Sequence, residues 1–88
     1  MDSVRVDLIR RQLDNTEAEL NSLKQGSNNF TPETLKRLQM QLVTIISQND
    51  FLNSVPTQFS TIPDNKLKKQ HVKLLLNLIK ESIKQELN

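Results

Sequence analysis

Cysteine is absent from this 88-residue chain, so neither a disulfide nor a thiolate metal site is open to it. The single histidine, His71, cannot by itself supply the three or four ligands that zinc requires. Glycine occurs once, at Gly26, which leaves no phosphate-cradling loop and no nucleophile elbow. Tryptophan and tyrosine are missing, and three phenylalanines are the whole aromatic complement, so base-stacking platforms are scarce. Glu17 and Glu19 point to different sides of a helix, and Glu81 and Glu86 sit among lysines, so no carboxylate pair is poised for acid–base work. No apolar run approaches the roughly 20 residues of a membrane span, and residues 1–25 lack the apolar block of a signal peptide. These absences lead us to expect a soluble intracellular chain, a single domain over residues 1–88, with no enzymatic activity, metal or cofactor.

What is present is charge and helical periodicity. Formal net charge is +2, and it is unevenly spread. Residues 1–26 carry four basic and five acidic groups, residues 27–63 two of each, and residues 64–88 six basic against three acidic. The positive excess therefore belongs to the last third.

Apolar residues recur at steps of three and four throughout and nowhere alternate with period two, which predicts an all-α fold. Val6, Ile9, Leu13, Thr16, Leu20 and Leu23 form a heptad seam with one polar member, predicting a first helix over about 3–24 that stops before Gly26. Thr31-Pro32-Glu33 is a strong helix start: a capping hydroxyl, a proline at the first turn and an acid at the positive helix end. Phe30 and Leu35 are placed to staple it. Leu35, Leu38, Leu42, Ile45, Ile46 and Leu52 continue that face over about 32–52. Asn49 interrupts it, so the helix either frays near Gln48 or carries Phe51 outward. Val55 to Pro63 reads as a linker anchored by Phe59 and Ile62. A third helix over about 64–87 begins after Thr61-Ile62-Pro63-Asp64, which has capping-box spacing. Short connections favour antiparallel neighbours, hence a three-helix bundle running up-down-up.

The third helix carries the functional expectation. On a helical wheel Leu67, His71, Val72, Leu74, Leu75, Leu76, Leu78, Ile79, Ile83 and Leu87 spread over roughly 220°, about twice what a bundle helix needs. The surplus falls on Val72, Leu76, Ile83 and Leu87, and Lys66, Lys69, Lys73, Lys80 and Lys84 line an arc of roughly 60° beside it. His71, on the apolar face, reads as a hydrogen-bonded core residue. The pattern points to a helical protein–protein interaction module, an adaptor or scaffold piece of a larger assembly. Val72, Leu76, Ile83 and Leu87 would make the apolar contact, and Lys69, Lys73 and Lys80 a rim that steers toward an acidic partner or a second copy. Val4 and Leu8, off the first helix's seam, offer a second patch, and that seam itself offers a homodimer contact. The alternative is a nucleic-acid-binding bundle using the lysine stripe, although the stripe lacks arginine and aromatic side chains.

Overall fold

The computed structural model describes residues 3–24, 31–55 and 62–87, apart from the side chains of Asp64 and Leu87. Three α-helices account for most of them: α1 (Ser3–Ser22), α2 (Pro32–Gln48) and α3 (Lys69–Leu87). Two short 3-10 turns, Asp50–Leu52 and Asp64–Lys66, lie between α2 and α3. Among the described residues there is no strand, and the fold is an all-α three-helix bundle.

Between the helices, each boundary has a local cause. The α1 helix ends two residues before the expected Lys24. The Ser22 hydroxyl donates to the Glu19 carbonyl at 2.6 Å, and the Leu23 amide turns back to the Leu20 carbonyl at 3.2 Å. At the start of α2 the Thr31 hydroxyl accepts the Thr34 amide at 3.2 Å, and Pro32 fills the first turn, as the sequence predicts. Gln48 ends α2 because Asn49 adopts extended backbone angles. The Asn49 side-chain amide donates to the Ile45 carbonyl at 2.7 Å in a buried position, satisfying one of the acceptors that a helix end leaves open. The 3-10 turn that follows buries Leu52 and half-buries Phe51 against the core, with Val55 buried three residues on, so Phe51 is not carried outward.

Helix α3 starts five residues later than the sequence predicts. Asp64–Lys66 is a separate 3-10 turn, and Leu67 and Lys68 are not helical. The starting signal is His71, whose Nδ1 accepts the Lys68 amide at 3.0 Å while its own amide donates to the Lys68 carbonyl at 3.0 Å. This is half of a capping box, with histidine where glutamate is usual. His71 is accordingly half-buried at a helix start, not inside the core. Gly26, Phe30, Phe59 and Thr61, expected in stop, staple, anchor and cap roles, lie outside the described residues.

The seam of α1 is buried in full, Thr16 included, and so is the apolar face of α2. Both pack on α3, which also rests on the Asp50–Leu52 turn.

Directions of the helices follow from their polar contacts. Arg37 of α2 pairs with Glu19, the Thr16 hydroxyl donates to Gln41, and Arg5 donates to the Gln48 carbonyl, so α2 runs antiparallel to α1. Lys69 reaches the Leu23 carbonyl at 2.9 Å and Lys80 pairs with Glu17 at 2.8 Å, so α3 also runs antiparallel to α1. The bundle is therefore up-down-down, with α2 and α3 parallel, and the expected up-down-up order is corrected. Twenty residues separate Gln48 from Lys69. About eight extended residues span the roughly 25 Å length of α2, so this connection is long enough to return to the other end of the bundle.

Candidate interaction surfaces

The apolar part of the expected partner site is part of the core. Val72, Leu76 and Ile83 are 1%, 0% and 2% exposed, sealed within one chain. With Leu75 and Ile79 they form an arc of about 100°, the width that a bundle helix normally buries. The sequence centred the core on the opposite edge of the same broad stripe. There Leu74 is 44% exposed and Leu78 only half-buried. Leu87 ends α3, and its side chain lies outside the described residues. The homodimer contact expected on the α1 seam is likewise withdrawn, because α2 and α3 already cover that seam.

The lysines divide into two groups. Lys69 is half-buried, with its ammonium group on the Leu23 carbonyl, where a cation complements the negative end of α1. Lys80 is held by Glu17. These two, expected on a partner-facing rim, hold α3 to α1. Lys66, Lys73 and Lys84 are exposed, and among the described residues they form no ion pair.

Two grooves flank α1. The larger, of about 590 Å³, lies between α1 and α2 over Ile45 and Met40 and is edged by neutral amides such as Gln12, Asn15, Gln41 and Gln48. Its only charged lining residues, Glu19 and Arg37, pair with each other through two hydrogen bonds, one of 3.1 Å. Those bonds from Arg37, helped by its charge and opposed by partial desolvation, hold the Glu19 carboxyl below its ordinary range. The groove's charges are thus spent internally.

The second groove, of about 390 Å³, lies between α1 and α3. Leu13 and Ile83 floor it, while Arg10, Lys80, Lys84 and Asp14 stand around it. Here cations outnumber carboxylates, and neither Arg10 nor Lys84 has an ion-pair partner among the described residues. The expectation from the sequence assigned Arg10 no part in the site. What it missed is that antiparallel packing brings Arg10 to the C-terminal end of the lysine stripe. The only sequence signal for that was the stripe itself.

Exposed apolar residues are scattered. Val4 and Leu8 lie one turn apart on α1 as expected, 65% and 54% exposed, and Met40 borders the α1–α2 groove. No described helix is long and apolar enough to cross a membrane, and the described residues contain no His, Cys, Asp and Glu grouping able to hold a metal ion. Comparison with protein-family models, curated proteins and solved structures finds no match to this chain.

Proposed function

We propose that this chain is a non-catalytic helical module that binds another protein through the cation-edged groove between α1 and α3. The observation that carries the reading is the convergence of Arg10, Lys80 and Lys84 on one groove, with Lys73 exposed farther along the same stripe. Unneutralised charge beside apolar surface is what a steering rim requires. The apolar contact first expected of α3 is replaced by this groove, since Val72, Leu76 and Ile83 are used for folding.

Nucleic acid is the weaker occupant. Two lysines of the stripe are already held, by Leu23 and Glu17, and Asp14 stands inside the groove where a phosphate chain would have to pass.

The test reverses only cations that the fold does not use. Arg10→Glu, Lys73→Glu and Lys84→Glu together should leave far-UV helicity unchanged and remove proteins that the wild-type chain retains from a nuclease-treated extract. Equal retention by wild type and the triple variant would sink the reading. Retention that disappears with nuclease would hand it to nucleic acid.

A further inference from the structure

We infer that the occupant of the α1–α3 groove is an acidic amphipathic helix presented by a partner protein, an inference that rests on the interaction reading above. Three features of the groove point to it.

The first is the spacing of the cations. Lys73, Lys80 and Lys84 are seven and four residues apart, so they line one face of α3 over about 16 Å. A helix laid along the groove repeats carboxylates every eleven residues on one face, so two of them can meet Lys73 and Lys84 while Lys80 keeps Glu17. Arg10 supplies a cation from the opposite wall.

The second is the mixed sign of the walls. Asp14 and Glu17 lie among the cations, and Glu17 holds Lys80 at 2.8 Å. A phosphate backbone presents uninterrupted negative charge and is repelled at both carboxylates. A helix with glutamates on some turns and neutral residues on others avoids that repulsion.

The third is the floor. Leu13 and Ile83, 1% and 2% exposed, close the groove beneath the cations, and the methylene stems of those cations supply its apolar surface. An apolar side chain between two carboxylates of the ligand covers that surface, which a bare polyanion cannot do. Laying an amphipathic helix into such a groove is a recurrent recognition mode, and here it would add a fourth helix to the bundle.

The probe is a synthetic peptide of four turns with leucine at every third or fourth position and glutamate flanking the leucines. It is titrated into the full chain and followed by NMR shifts. Controls are a scrambled peptide of equal composition, a lysine-for-glutamate peptide, a DNA duplex and anionic lipid vesicles. The ordered acidic peptide should shift Arg10, Leu13, Lys80, Ile83 and Lys84 together. Arg10→Glu with Lys84→Glu should weaken its binding at least tenfold, Arg10→Gln with Lys84→Gln should weaken it by less, and the lysine peptide should regain binding to the reversed chain. Equal binding of the scrambled peptide, shifts confined to other faces, or stronger binding of duplex or vesicles would each overturn the inference. So would sedimentation showing that a second copy occupies the groove. If the peptide fails while the extract experiment still separates wild type from the reversed chain, only the identity of the ligand is wrong. If both fail, the interaction reading falls with it.

Discussion

Asn49 shows how much one side chain can carry in a core that is mostly apolar. It is buried, its amide group donates to the Ile45 carbonyl at 2.7 Å, and its carbonyl oxygen accepts from Arg5 Nε at 2.7 Å. Arg5 also donates to the Gln48 carbonyl at 2.6 Å, so one guanidinium ties the start of α1 to the end of α2. In the sequence Asn49 only interrupts an apolar face, because nothing local announces that a residue 44 positions earlier will satisfy it. Asn49→Ala leaves the Ile45 carbonyl and the Arg5 Nε–H without these partners, and such losses cost about 1–3 kcal/mol. The expected outcome in urea unfolding is a lower midpoint at unchanged slope. Combining Asn49→Ala with Arg5→Ala should cost clearly less than the two single changes together, since both remove the same contact. Strict additivity would show that the two side chains do not act as a unit. Gln39 was missed too: it is 1% exposed, and its Oε1 accepts from Lys36, three residues earlier, at 3.4 Å.

At the level of the element, periodicity was legible and its centre was not. Every seam position named for α1 and every apolar position named for α2 is buried, because each of those stripes is narrow enough to have only one middle. The stripe of α3 contains Leu74-Leu75-Leu76, three adjacent residues that together turn through about 200°. Either edge could serve as the core, and the choice depends on neighbours the sequence does not locate. The 3-10 turn after α2 decides it in part. Leu52 and Val55 are buried there, and that turn packs on α3. Leu76 and Ile83, expected at a partner contact, are core residues instead. Leu76→Ala should destabilise by about 2–5 kcal/mol, a large share of the roughly 5–15 kcal/mol a domain has. Leu74→Ala, on the half-exposed edge, should stay within about 0.5 kcal/mol of wild type. Chemical unfolding of the two variants side by side checks this. A larger loss at Leu74 would mean that the sequence had chosen the right edge after all.

The whole molecule turns on the direction of α3. Connection length is a prior on direction, and it failed because the twenty residues after α2 include two 3-10 turns and enough further chain to travel the length of the bundle. Direction in turn makes the candidate site. With α3 antiparallel to α1, Lys84 comes beside Arg10 and Asp14, and the stripe becomes one wall of a groove. Run the other way, Lys84 would lie at the far end of α1, away from Arg10 and Asp14. Sequence alone could supply the lysine wall but not the arginine facing it. A single spin label separates the two arrangements cleanly, because the chain has no native cysteine. Asn21→Cys carries the label on an exposed position near the end of α1. The antiparallel order predicts the strongest amide broadening in α3 at Lys69 to Val72, with Ser82 to Glu86 spared at the other end of a helix about 28 Å long. The up-down-up order predicts the reverse. Broadening at Ser82 to Glu86 would therefore remove the Arg10–Lys84 groove and the ligand assigned to it, whatever the lysines bind.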